Sequence, residues 1–86
     1  MADIIIYTTA FCPFCHRAKS LLTNKNVKFT EIDVTMNSSK RREMTSMAGS
    51  TSVPQIFIDG NHIGDCDAIH TLEHQGKLDQ KLGLSA

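Results

Sequence analysis

Thr8-Thr9-Ala10-Phe11-Cys12-Pro13-Phe14-Cys15-His16 is the stretch on which the reading of the whole chain turns. Asp3-Ile4-Ile5-Ile6-Tyr7 precedes it, β-branched and apolar without alternation, the pattern of a strand covered on both faces. Phe14, Ala18, Leu21 and Leu22 recur at helical spacing after it, with Arg17, Lys19 and Lys25 mainly off that face. The two cysteines therefore stand where a buried strand hands over to a helix. Pro13 suits the first helical position, where its missing N–H costs nothing and its fixed φ matches the helix. Cys12 then falls near the N-cap and Cys15 in the first turn. Unpaired backbone N–H groups and the positive end of the helix dipole point at the Cys12 sulfur and favour the thiolate, the reactive form.

Three chemistries compete for such a pair. A structural zinc site takes four ligands, usually two such pairs or a pair plus histidines. Here Cys66, His62, His70 and His74 are the remaining candidates, all far along the chain, and nothing in their spacing supports a metal. A structural disulfide across so short a loop would constrain the unfolded chain little. The residues favour a redox-active pair, and Cys-x-x-Cys after a strand in a βαβ pattern resembles the thioredoxin-like arrangement.

At 86 residues the chain is expected to form one domain over 1–86 with a modest core. Nine basic against nine acidic residues give no net charge, which argues against nucleic acid or a membrane surface as partner. Any charged ligand must be held by local charge. Met1-Ala2-Asp3 lacks the basic start of a signal peptide and no apolar run is long enough to span a bilayer, so a soluble, cytoplasmic protein is expected. Three cysteines fit an intracellular redox pair plus one further thiol.

In order along the chain, the first strand covers Ile4 to Tyr7 and the first helix runs from Pro13 to the Asn24-Lys25-Asn26 stop, where Asn26 can adopt the left-handed conformation. Val27 to Val34 reads as the second strand, closing a right-handed βαβ crossover. Asn37-Ser38-Ser39 offers N-caps to a second helix that turns Met44, Met47 and Ala48 inward and ends at Gly49. Lys40, Arg41 and Arg42 crowd its first turn, against the dipole, and read either as a solvated face or as an anion-binding edge. Gln55-Ile56-Phe57-Ile58 and Asn61-His62-Ile63 form a hairpin around Asp59-Gly60. Asp65-Cys66-Asp67 opens a third helix carrying Ile69 and Leu72 inward and ending at Gly76, and a short last helix docks through Leu78 and Leu82. The order βαβαββα plus a short C-terminal helix predicts an α/β fold with a four-stranded mixed sheet flanked by helices. Tyr7 and Phe11 read as packing residues, and His16, His62, His70 and His74 as surface residues.

Cys12-Pro13-Phe14-Cys15, Ser52-Val53-Pro54 before the hairpin and Gly64-Asp65-Cys66-Asp67 after it closely resemble the glutaredoxins, in particular the small bacterial dithiol type. The resemblance spans nearly the whole chain and implies a thioredoxin-like fold. It implies that Cys12 is the nucleophile, that Cys15 resolves, and that Pro54 is cis and faces them. Glutathione, as co-substrate, would lie against Pro13, Phe14 and Ser52, and pair with the Val53 backbone like an added strand. Its γ-glutamyl carboxylate would meet the start of the third helix at Gly64, Cys66 and Asp67, with the Asp67 carboxylate taking its ammonium group. Cys66 would contribute backbone contacts, with glutathionylation or an intermolecular disulfide as the minor reading.

Thr9 stands where many relatives carry a lysine, Ser50 where a basic residue is common, Phe14 where tyrosine is usual and Asp65 where the motif usually has glycine. These departures imply weaker glutathione binding, which Arg41 or Arg42 would offset by meeting the glycyl carboxylate. The function implied is a glutathione-dependent thiol–disulfide oxidoreductase acting on glutathionylated proteins through Cys12 and on protein disulfides through Cys12 and Cys15. No tightly bound cofactor or metal is expected, and the chain is expected to be monomeric. The alternative is a module in which two copies share an iron–sulfur cluster through Cys12 and glutathione.

Overall fold

β1 (Ile4–Thr8) is the hub of the sheet in the computed structural model, which describes residues 2–84. On one side it pairs in parallel with β2 (Thr30–Asp33) and on the other antiparallel with β3 (Gln55–Ile58), which carries β4 (Asn61–Gly64) on its outer edge. Helices α1 (Pro13–Asn24), α2 (Ser38–Ala48), α3 (Cys66–His74) and α4 (Leu78–Lys81) complete the predicted α/β order.

The alternation of β1 divides its side chains between two cores. Ile4 and Ile6 join Ile56 and Ile58 of β3 under α1, α3 and α4, where Ala18, Leu22, Ile69, Leu78 and Leu82 meet them. Tyr7 and Phe57 point the other way, onto Met44 of α2 and Val34, with their rings edge-on at 5.6 Å. Each aliphatic side chain taken fully out of water contributes about 1.5–3 kcal/mol, which makes the two-sided burial of β1 and β3 the main stabilising feature.

Local signals end the elements where expected. Asn26 takes φ +58 after α1, Gly49 caps α2 at φ +72, and Asp59 and Gly60 turn the hairpin at φ +52 and +80. Lys25 is gripped by Glu73 of α3 and Asp79 of α4, both at 2.7 Å, so three helix ends are tied by one ammonium group.

Three expectations are corrected. β2 begins at Thr30, not Val27, because its ladder with β1 starts at the Ile5–Thr30 pair; Val27 and Phe29 lie before it and pack their side chains against the core. Met47 is half exposed, since the narrow inner face of α2 keeps only Met44 and Ala48, four residues apart. Phe14 is also outside the core, 54 % exposed at the start of α1, and the inward position there belongs to Cys15.

Strand direction decides where the loops gather. β2 runs with β1, and β4 does too because both are antiparallel to β3. The C-terminal ends of β1, β2 and β4 and the N-terminal end of β3 therefore share one edge of the sheet. The Thr9–Cys12, Val34–Asn37, Ser50–Pro54 and Asp65 segments all emerge there.

Candidate active site

Cys12 is the N-cap of α1, with extended backbone (φ −113, ψ 109) and its sulfur accepting the Cys15 N–H at 3.3 Å. Pro13 occupies the first helical position as expected. The Cys12 thiol is partly exposed and lies 3.7 Å from the Val53 carbonyl oxygen, whereas Cys15 is 1 % exposed; both are free thiols. Burial is the main reason the Cys15 thiol is pushed up to about 12, reinforced by its hydrogen bond to Cys12 and opposed by the Thr9 backbone. The pair is thus asymmetric: one sulfur meets solvent and the other is held as a thiol beneath it.

A cleft of about 190 Å³ opens beside Cys12. Phe14 forms one wall, Ser52, Val53 and Pro54 another, and Asp65, Cys66 and Asp67 the third. The Val53–Pro54 peptide is cis. Asp65 caps α3 by accepting the Ala68 N–H at 3.0 Å, so the departure from glycine there supplies a helix cap. The Cys66 and Asp67 N–H groups, ahead of the first intrahelical bond from Ile69, are left for a ligand. Cys66 itself is 3 % exposed and burial pushes its thiol up, the opposite of activation.

The remaining predicted residues lie outside the cleft lining. Pro13 is exposed on the helix end. Gly64 sits behind the cleft, where its missing side chain makes room for Ala68. Thr9 is half-buried in the loop before Cys12. Arg41 is committed to the Thr51 carbonyl oxygen at 3.0 Å and so braces the loop before Pro54, while Arg42 is exposed. Among the described residues no group of three or more His, Cys, Asp or Glu is arranged to hold a metal ion, and no helix is long and apolar enough to cross a membrane.

One polar network escaped the sequence reading. Gln55, 3 % exposed, donates to the Ser52 carbonyl oxygen at 3.0 Å and to Ser52 Oγ at 3.2 Å, and Ser52 Oγ lies 2.9 Å from Ser50 Oγ. Its amide oxygen therefore faces His62 Nε2 at 2.6 Å, which fixes that ring nitrogen as the donor. His62 also leans on Phe57, with ring centroids at 5.1 Å. The signal was a glutamine heading the apolar run Gln55-Ile56-Phe57-Ile58, on the same strand face as the Phe57 that pairs with His62. His62 stays exposed, as expected, while bonding Gln55; the histidine expectation that changes is His70, which is half-buried with its Nε2 buried and without a partner. Phe11, read as packing, is 95 % exposed.

Comparison with known proteins agrees with this geometry. The family model described as Glutaredoxin matches residues 4–63. The chain is 51 % identical over 82 residues to Glutaredoxin 3 of Escherichia coli (strain K12), covering 95 % of this chain and 99 % of that one. It is also 51 % identical to a glutaredoxin of Pseudomonas aeruginosa, over 95 % of this chain and 98 % of that one. Among solved structures, a glutaredoxin from Brucella melitensis superposes with a TM-score of 0.86 at 46 % identity, covering 98 % of this chain and 91 % of that one. A buckwheat glutaredoxin–glutathione complex superposes with a TM-score of 0.88 at 25 % identity, covering 95 % of this chain and 77 % of that one.

Proposed function

The chain belongs to the glutaredoxin family, and on that premise we propose how its residues divide the work of a glutathione-dependent thiol–disulfide oxidoreductase. The observation that carries the proposal is the asymmetry of the two thiols, with Cys12 exposed at a helix N-terminus beside a cleft and Cys15 buried under it.

On a glutathionylated protein, the Cys12 thiolate attacks the glutathione sulfur. A Cys12–glutathione disulfide forms and the protein thiolate leaves. Free glutathione then attacks that disulfide, releasing oxidised glutathione and restoring Cys12. The glutathione moiety lies in the cleft, with its backbone along Val53, its γ-glutamyl carboxylate on the Cys66 and Asp67 N–H groups and its ammonium group on the Asp67 carboxylate. Phe14 and Ser52 form the flanking walls. The buckwheat complex supports glutathione as the ligand of this fold.

On a protein disulfide, Cys12 forms a mixed disulfide with one substrate sulfur. Cys15 loses its proton and attacks Cys12, giving the Cys12–Cys15 disulfide and a reduced substrate; two glutathiones then reduce the pair. The high value of the Cys15 thiol fits this timing. Burial, its main cause, keeps Cys15 a thiol beneath Cys12 until a trapped substrate has to be released. A glutaredoxin couple lies at about −200 to −230 mV, near the glutathione pool, so either direction is accessible. The working unit is the single domain 1–86, acting as a monomer in the cytoplasm. The cluster-sharing module is not favoured, and Pro13 stiffens the turn that such a module would need to adapt.

Side-by-side assays test the division of roles. Cys12→Ser abolishes both activities, whereas Cys15→Ser keeps deglutathionylation and loses most protein-disulfide reduction. If Cys15→Ser loses both equally, the internal disulfide is obligatory and the glutathione-centred route is wrong.

A further inference from the structure

Phe11 and Met36 are each 95 % exposed, the two most exposed large apolar side chains among the described residues. Their neighbours join them across the sheet edge that carries Cys12: the Ala10 N–H donates to Thr35 Oγ1 at 2.8 Å, and the Thr35 N–H donates to Asp33 Oδ1 at 2.8 Å. Each apolar residue is thus one position from the hydrogen bond linking the two loops, and Phe11 is covalently next to the nucleophile. Neither belongs to the cleft lining, which lies toward Phe14, Val53 and Asp67. Single exposed apolar residues are ordinary, but a braced pair bordering a reactive sulfur is a place where a partner is met.

We propose that Phe11 and Met36 form a docking surface for the polypeptide that carries the target cysteine, selecting substrates with an aromatic or branched aliphatic residue beside that cysteine. This rests on the proposed role of Cys12. A mixed disulfide presents two substituents to Cys12, and the cleft accommodates glutathione on the side of Pro54 and α3. The other substituent lies outside that cleft, and on this reading it passes over Phe11, next to Cys12 in the chain, and over Met36, on the loop that Ala10 ties to Thr35. The surface is continuous with the substrate site, and its two side chains are held ready by loops already hydrogen-bonded to one another.

The test compares the wild type with the Phe11→Ser/Met36→Ser double variant. The substrates are two glutathionylated heptapeptides, one with Leu and Phe flanking the cysteine and one with Ser at both positions, and the mixed disulfide of glutathione with mercaptoethanol. The wild type is expected to prefer the apolar peptide by roughly tenfold in kcat/KM, since part of each side chain's burial survives as binding. In the double variant the preference shrinks to about twofold or less, while the small mixed disulfide is turned over as before, because exposed sites tolerate substitution. No preference in the wild type, or the same preference in the variant, overturns the proposal. So does a wild-type dimer in sedimentation that the double variant dissolves, which would assign the surface to a second copy. Failure of the wild type on the small mixed disulfide would instead remove the oxidoreductase reading on which the proposal stands.

Discussion

Gly64→Ala is the substitution that most directly tests how the fold holds the third wall of the cleft. Gly64 ends β4 at φ +133, a conformation that side-chain-bearing residues rarely adopt, and a Cβ built there would stand 2.6 Å from the Cβ of Ala68. That contact is with a short side chain fixed on α3, so backbone has to move. Holding a residue in such a region costs of order 1–3 kcal/mol. Overpacking of this kind adds typically about 1–3 kcal/mol. The sum, about 2–6 kcal/mol, is a large share of the roughly 5–15 kcal/mol available to a domain. At about 4–8 °C per kcal/mol for a chain this short, the midpoint of thermal unfolding should fall by at least about 8 °C. Gly60→Ala is the control, because Gly60 also has positive φ (+80) but open space around its would-be Cβ. It should show the backbone cost alone, about 1–2 kcal/mol. Urea and thermal unfolding of both variants, followed by circular dichroism, measure the difference. Gly64→Ala should also raise the KM for glutathione, since the Ala68 that must yield is the residue capped by Asp65 at the cleft. If Gly64→Ala destabilises no more than Gly60→Ala, the contact with α3 does not constrain the site and the reasoning fails.

Asp67→Ala should raise the KM for glutathione about three- to tenfold, through loss of a charge-assisted but exposed contact, while changing stability by less than about 1 kcal/mol; an unchanged KM removes Asp67 from the ligand site. Gln55→Leu should cost about 1–3 kcal/mol of stability by leaving partners unpaired. It should also raise the KM for glutathione with little change in kcat, because it frees the Ser52 loop without touching the sulfurs; a fall in kcat at constant KM would contradict a positioning role. Iodoacetamide at pH 8 should add one label to the native protein, on Cys12, and three in denaturant, by mass spectrometry; a second native label at a similar rate would refute the shielding of Cys15 and Cys66. The same shifts set an alkaline limit to stability. The folded-state value of Cys15 is raised, to about 12, so its contribution is full below the ordinary thiol value and is lost as pH climbs toward that figure, with Cys66 and Tyr7 acting in the same sense. A thermal midpoint that does not fall between about pH 9 and 11 would contradict it.

Residues whose local chemistry has one outcome were legible in advance. Pro13 fits a single helical position, Asp59-Gly60 a single kind of turn, and an unbroken Ile4-Ile5-Ile6 run only a strand covered on both faces. The cysteine pair was legible as a short motif at a strand–helix junction, whereas the cis Val53-Pro54 peptide was foreseen only through the family resemblance. What was not legible depends on partners distant in sequence. β2 begins where its parallel ladder with β1 begins, at the Ile5–Thr30 pair, and apolar character in Val27 and Phe29 cannot reveal that limit. Phe14 and Phe11 look like core material by hydrophobicity, yet one walls a cleft and the other stands in solvent beside Cys12. Asp65 read as an anion intruding on a ligand site, and its carboxylate is turned to the Ala68 N–H.

The chain carries no net charge, and the direction of the strands shows where local positive charge arises instead. β1 and β4 run the same way on either side of β3, so the helices that follow them, α1 and α3, both start at one edge of the sheet. Two sets of unpaired N–H groups and two positive dipole ends are thereby brought together around one cleft. One set lies at Cys12, whose sulfur accepts the Cys15 N–H, and the other at Cys66 and Asp67, where we propose that the ligand carboxylate is held. Lysine or arginine side chains would add to this field but are not needed to create it, and none stands at Thr9 or Ser50. Arg41 is free to brace the Thr51 carbonyl instead. The local charge that the site requires is supplied by backbone, and the topology, more than the composition, is what puts it there.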